Sequence, residues 1–265
     1  MSELNLMDRE KLTDKNINKS GNIFLTIISN KGGVGKTSTT VCFGFYFANV
    51  LNKKTLLVEL DSSPGDFGPL FDISGDNSLD IAIKFPDRFK NYIKSIHKNL
   101  DVLKGFSNPI NAEAVTEIEF YALIHNISEF YEVIIFDTQT VLNGIIIDAL
   151  KFSNIIILLS EPTIESLSRI SELISILNSK FLINKDKFHL VINKKKILDL
   201  FKIKDIAKIL DFPVEGFISY DKRFNKNLII FNTNKLFKSK FNIQISKLIN
   251  NLISSGAINE FAGKA

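Results

Sequence analysis

Short apolar runs recur along the chain at Ile23 to Ile28, Thr55 to Leu60, Leu100 to Leu103, Val133 to Phe136, Ile155 to Leu159, His189 to Ile192 and Val214 to Ile218. Most show no alternation with polar residues, so they read as strands buried on both faces, as in a parallel sheet covered by helices. Helix-period segments fall between them near residues 37–51, 87–98, 113–130, 143–151, 163–180 and 202–210, with a last one near 238–254. This alternation predicts an α/β fold of the doubly wound kind: a mostly parallel sheet with helices on both faces, and ligands at the carboxyl ends of strands. Residues 1–20 are polar and read as a loose tail, leaving residues 21–265 as one domain. No internal repeat is present.

The remaining composition removes whole classes of function. Cys42 is the only cysteine and lies inside the predicted first helix, so one chain can build no disulfide framework, paired-cysteine zinc site or Fe-S ligand set. The polar, acid-containing amino terminus is unlike a secretory signal, and no apolar stretch approaches the ~18 residues of a membrane span. A cytoplasmic protein is expected. His97, His125 and His189 have no metal-ligand spacing and read as surface or packing residues. Charge is uneven: residues 180–265 hold 17 Lys and Arg against 7 Asp and Glu, whereas the rest holds 16 against 22. Lys194-Lys195-Lys196 and the acid-free run from Lys222 to Asn259 could meet DNA phosphate or anionic lipid, or form a solvated face. Phe241, Ile245, Leu248, Ile249 and Leu252 make one helical stripe, expected to pack on the sheet rather than to lie on a membrane.

The most informative segment is Asn30-Lys31-Gly32-Gly33-Val34-Gly35-Lys36-Thr37, which joins the first strand to the first helix. Closely spaced glycines let backbone N–H groups converge on phosphate oxygens, and the helix start adds partial positive charge. In such a cradle Lys36 reaches terminal phosphates and the Thr37 hydroxyl holds magnesium. The strict pattern wants glycine at position 30; asparagine is among the residues that best tolerate left-handed backbone. Two further strands end in acid. Leu56-Leu57-Val58-Glu59-Leu60-Asp61 runs into the turn Ser62-Ser63-Pro64-Gly65-Asp66, and Glu132-Val133-Ile134-Ile135-Phe136-Asp137-Thr138 has the form of a Walker B strand whose Asp137 supports magnesium.

The segment from Lys31 to Thr37 resembles the deviant Walker A box of the ParA/MinD family of dimeric ATPases, which are P-loop NTPases of the SIMIBI type. The resemblance covers roughly residues 22–255. It implies ATP and Mg2+ as cofactors, bound through Gly32, Gly33, Val34, Gly35, Lys36, Thr37 and Ser38, in a homodimer with ATP sandwiched between subunits. It further implies that Lys31 crosses to the partner's nucleotide. Leu57 to Gly65 looks like the family's switch I, where Asp61 positions the attacking water and the magnesium shell; Thr37, Asp61 and Asp137 are then the metal residues. Val191-Ile192-Asn193-Lys194 is similar to the segment whose asparagine contacts adenine. Phe212-Pro213-Val214 through Ser219-Tyr220-Asp221 resembles the base-side stretch, with Ser219 in place of proline. After Asp137 the family usually has D-T-P-P, whereas this chain has Asp137-Thr138-Gln139-Thr140. Gly65-Asp66-Phe67-Gly68, Leu100 to Leu103 with Asn108-Pro109, and Val141-Leu142-Asn143 look closest to the CpaE/TadZ-like pilus-assembly and localisation subgroup.

These readings predict an ATPase with Lys31, Lys36 and Asp61 as catalytic residues, which positions a plasmid or chromosome, a pilus or secretion apparatus, or a division site, and is stimulated by a partner protein. Nonspecific DNA is a candidate surface through the basic C-terminal third; peripheral membrane contact is a weaker one. The alternatives are a nucleotide-binding scaffold with little hydrolysis and a P-loop ligase of the dethiobiotin-synthetase type. A reductase or Fe-S assembly ATPase is disfavoured by the single cysteine.

Overall fold

The computed structural model describes residues 21–62, 65–75, 77–196, 199, 201–222, 224, 236 and 238–258. The expected polar tail 1–20, Ser63 and Pro64 of the turn, and much of the basic run after Lys222 lie outside the described residues.

Among the described residues, eight strands form one sheet. In chain order they are β1 (Ile23–Ile28), β2 (Thr55–Glu59), β3 (Lys94–His97), β4 (Leu100–Leu103), β5 (Val133–Asp137), β6 (Ile155–Ser160), β7 (Phe188–Lys195) and β8 (Val214–Ser219). Their order across the sheet is β3-β4-β2-β5-β1-β6-β7-β8. All neighbours are parallel except β3, which pairs antiparallel with β4 at the edge. The helices are α1 (Lys36–Asn49), α2 (Phe67–Phe71), α3 (Leu79–Lys84), α4 (Pro109–Ala114), α5 (Glu117–Ser128), α6 (Gly144–Phe152), α7 (Ile164–Ser179), α8 (Ile203–Leu210) and α9 (Lys240–Ser254).

Side-chain alternation divides each buried strand between two cores. In β1, Ile23, Leu25 and Ile27 face the core built with α1, α2 and α9, while Phe24 and Ile28 face the core built with α3, α5, α6 and α7. In β5, Val133 and Ile135 take the α1 side, so Asp137, two residues on, also points toward α1. The same count in β2 puts Glu59 on the side of Leu57. The polar Thr26 in the middle of β1 is satisfied by Ser153 Oγ at 2.7 Å. The stripe on α9 packs inward: Phe241, Ile245, Leu248, Ile249 and Leu252 are all buried.

Two helix expectations are corrected. The segment 87–98 is not one α-helix: its first half lies in a 3-10 helix, Pro86–Tyr92, and its second half holds β3, Lys94–His97. The segment 113–130 is not one helix. It breaks after α4, whose start Asn108 caps through Ile110 N–H with Pro109 in the first turn, and restarts at Thr116, which forms a capping box with Glu119. The short α2 and α3 were not expected from the pattern.

Candidate functional site

A cleft of about 600 Å³ opens at the carboxyl ends of the strands. Gly32, Gly33, Gly35, Lys36, Thr37 and Ser38 line one wall; Asp61, Asp66 and Thr138 to Val141 line another; Asn193, Lys194, Ser219 to Asp221, Phe224 and Phe241 line the far end. Residues far apart in sequence meet here because β1, β2 and β5 are adjacent and end level with one another.

The loop between β1 and α1 turns on glycine at Gly33 and Gly35, with φ of 73° and 103°. Gly35 has a second constraint: a Cβ there would stand 2.7 Å from the Asn193 side-chain nitrogen. Asn193 is itself buried; its amide donates to the Val34 carbonyl at 2.7 Å and its oxygen accepts the Lys194 N–H at 2.8 Å. It therefore holds the loop from beneath as well as bordering the cleft. Val34 is wholly buried and does not line the cleft with the other loop residues. Asn30, where the strict pattern has glycine, donates its side-chain amide to the Arg169 carbonyl of α7.

Asp137 is buried behind the cleft wall, against the lining residues Lys36 and Thr37. Thr40 Oγ1 donates to it at 3.0 Å, the Thr37 hydroxyl also bonds it, and the Lys36 ammonium is close enough to act on it. Burial pushes its carboxyl up to about 7 against these opposing contacts. Lys36 is lowered by its own burial, countered by the charges of Asp137, Asp61 and Asp66, and its Nζ lies 3.5 Å from Thr140 Oγ1. Asp61 lines the cleft, whereas Glu59 turns away into the protein. Glu59 accepts the Phe67 N–H at 3.0 Å and the Gly105 N–H at 2.9 Å, and burial first of all raises its carboxyl to about 7.

Gln139 and Thr140 carry contacts that the pattern D-T-P-P cannot have. The Gln139 side-chain oxygen accepts from Ser62 Oγ at 2.7 Å and Ser62 N–H at 3.3 Å, tying the loop after β2 to the loop after β5. At the far end Gln244 of α9 fixes Ser219 by two bonds, accepting its N–H at 2.9 Å and donating to its Oγ at 3.1 Å. Phe224 stacks on Phe241 with centroids 4.1 Å apart. Polar residues spaced this far apart in sequence gave no local signal for such pairs. Lys31 stands apart from the cleft wall and is ion-paired to Glu161 at 3.1 Å.

The donors present fit magnesium: the Thr37 hydroxyl and the Asp137 and Asp61 carboxyl groups are hard oxygen donors that could hold it. Among the described residues no three His, Cys, Asp or Glu side chains gather to hold a metal by themselves. Such a set suits an ion that takes much of its shell from phosphate and water.

The family model for the CobQ/CobB/MinD/ParA nucleotide binding domain matches residues 25–229. The chain belongs to that family. Septum site-determining protein MinD of Synechocystis sp. (strain ATCC 27184 / PCC 6803 / Kazusa) is 22% identical over 223 residues, 81% of this chain and 80% of that protein. Among solved structures, a ParA family ATPase from Chlorobium tepidum TLS superposes with a TM-score of 0.75 at 18% identity, covering 84% of this chain and 96% of that one. The septum site-determining protein MinD of Pyrococcus horikoshii OT3, complexed with Mg-ADP, gives 0.73 at 18% identity, over 89% and 98%. The doubly wound fold expected from the apolar pattern is the fold of these proteins.

Proposed function

We propose that the protein binds Mg-ATP in this cleft, pairs with a second copy of itself across the bound nucleotide, and hydrolyses ATP slowly to time the localisation of a cargo. The observation that carries this reading is the convergence of Lys36, Thr37, Asp61 and Asp137 on one glycine-rich loop, from the ends of three adjacent strands. The whole of residues 21–265 is taken as one ATPase domain acting in the cytoplasm, with a deviant Walker A loop and a CpaE-like middle. Among the described residues no helix is long and apolar enough to cross a membrane.

In this reading Gly32, Gly33, Gly35, Ser38 and the backbone at Val34 bind the phosphates. Lys36 offsets charge on the terminal phosphates, and Lys31 supplies charge to the partner's nucleotide. Magnesium, when bound, neutralises charge shared between phosphate oxygens. Thr37 and Asp137 would hold it, and Asp61 would orient the attacking water for in-line displacement. Asn193, Ser219 and Asp221 border the base. Loss of the terminal phosphate would release the loops after β2 and β5 and let the dimer part. The stimulating surface is taken to be nonspecific DNA meeting the basic C-terminal third, where Lys196 also lies over the Tyr220 ring at 5.3 Å.

A second reading, a nucleotide-binding scaffold with little hydrolysis, draws support from the bond between Gln139 and Ser62, which restrains the loop that carries Asp61. ATP turnover and dimer mass measured for wild type, Lys36→Ala, Lys31→Ala and Asp61→Ala decide between them, each alone, with duplex DNA and with anionic liposomes. Wild type should dimerise in Mg-ATP and turn over faster with DNA in a salt-sensitive way. Lys36→Ala should lose both properties, and Asp61→Ala should dimerise but lose at least tenfold in turnover. Dimerisation without turnover in wild type selects the scaffold; no ATP binding at all defeats both.

A further inference from the structure

The loop lysine that stands outside the cleft is held by its own subunit. Lys31 Nζ lies 3.1 Å from Glu161 and 4.0 Å from Glu165, and its side chain is only one quarter exposed. Glu161 carries a second cation, with Lys194 Nζ at 2.8 Å, and Lys194 also donates to the Gly33 carbonyl. Burial would raise the Glu161 carboxyl, but the hydrogen bonds and charges of Lys194 and Lys31 win and hold it below the usual range.

The bracket around these three residues is built from several elements. Glu161 follows β6 directly, and its N–H is taken by the buried Ser166 Oγ at 3.0 Å, in the first turn of α7. Lys194 has a left-handed backbone, φ 56°, unusual for a long side chain, at a break in the register between β7 and β8. That turn sends its side chain back over the loop instead of along the strand. Glu165 is the weaker partner because Arg169 already holds it at 2.9 Å.

A carboxylate bridging two ammonium groups can release one without being left unpaired, whereas a carboxylate with a single buried partner pays heavily for losing it. We propose that Glu161 is a positioning residue that parks Lys31 within its own subunit, and that Lys194 remains as counter-ion when Lys31 swings out to a second copy of this chain. Glu161 thereby sets how much nucleotide is needed before two subunits join. This inference rests on the ATP-dependent dimer proposed above.

The test uses the full chain in two arms. In the first, nucleotide-free protein is pulsed with an amine-acetylating reagent, and Lys31 labelling is read by mass spectrometry. Glu161→Gln should speed Lys31 labelling about threefold or more, and Lys194→Gln should slow it, since Lys31 then has the carboxylate to itself. A general loosening of the fold would speed both. In the second arm, the Mg-ATP concentration for half-maximal dimerisation should fall about three- to tenfold in Glu161→Gln, and this gain should vanish in a Lys31→Ala background. Unchanged Lys31 labelling in a Glu161→Gln protein that melts like wild type overturns the proposal, as does an unchanged or raised dimerisation threshold. If Glu161→Gln fails to fold, Glu161→Asp, which keeps the charge but withdraws it, should give a smaller shift of the same sign; no shift overturns the proposal. Wild type that never dimerises in Mg-ATP refutes the dimer reading instead, and the labelling arm still judges the parking contact.

Discussion

At the scale of single residues, Glu59 shows how two acids two positions apart acquire different surroundings. Alternation puts both on one side of β2, but the strand ends at Glu59, so Asp61 reaches the cleft while Glu59 stays inside. Room for it comes from Gly65 and Gly105: a Cβ at Gly65 would lie 2.2 Å from one Glu59 oxygen, and one at Gly105 would lie 3.0 Å from the other. The carboxyl is raised from 4.5 to about 7. Between those values the folded protein keeps a proton that the unfolded chain has released, so stability falls as pH rises through this window and levels off above it. At about 1.4 kcal/mol per unit the site accounts for a loss on the order of 3 kcal/mol. Asp137, also raised to about 7 by burial, adds a slope of the same sign. Denaturant melts of the nucleotide-free protein should therefore show lower stability at about pH 8 than at about pH 5, with Glu59→Gln removing roughly half of the difference. His189, lowered by burial, opposes this slope, so the variant comparison is what reads Glu59: a Glu59→Gln protein with the same pH difference as wild type would mean that Glu59 is ionised in the fold throughout.

At the scale of elements, buried strands were legible because their apolar runs are continuous, and seven of the eight fall where the pattern puts them. The eighth was hidden by coincidence of spacing. Phe89, Tyr92, Ile93 and Ile96 recur at helical intervals, but Pro86 starts a 3-10 turn there, and β3 is a short edge strand with one solvent face, where alternation gives little signal. The join between α4 and α5 is hidden in the sequence for a different reason. Helix period persists across it, and only the capping residues Asn108 and Thr116 announce two starts. The site was legible where local chemistry is concentrated, in the glycine-rich loop and the strand-end acids. The contacts of Gln139, Glu161, Lys194 and Gln244 were not, because each joins residues from different crossovers. The capping box offers an element-scale check. Thr116→Ala removes the acceptor for the Glu119 N–H and one reciprocal bond, and should cost about 1 kcal/mol. It should leave ATP affinity unchanged, as α5 lies on the face away from α1. Chemical denaturation with isothermal titration of ATP reads both quantities.

At the scale of the whole molecule, α9 decides how the basic C-terminal third relates to the rest. An amphipathic helix flanked by Lys238, Lys240 and Lys247 could serve as a surface anchor or as the last layer of a core. Here it packs against α1 and β8, and its apolar stripe closes the core that the loop-bearing helix α1 shares with β1 and β5. Through Gln244 it also fixes Ser219 at the far end of the cleft, so detaching α9 for a membrane would both open this core and free that loop. Ile249 is fully buried in the stripe. Placing a carboxylate there strands a charge with no partner in an apolar layer, which costs more than about 3 kcal/mol. Ile249→Asp is accordingly expected to lower the denaturation midpoint sharply in the absence of any lipid, and to weaken ATP binding with it. A helix held in reserve for lipid would behave in the opposite way: the variant would melt like wild type and lose only its sedimentation with anionic vesicles. Measured side by side, melting and vesicle sedimentation separate a helix that completes the fold from one that leaves it.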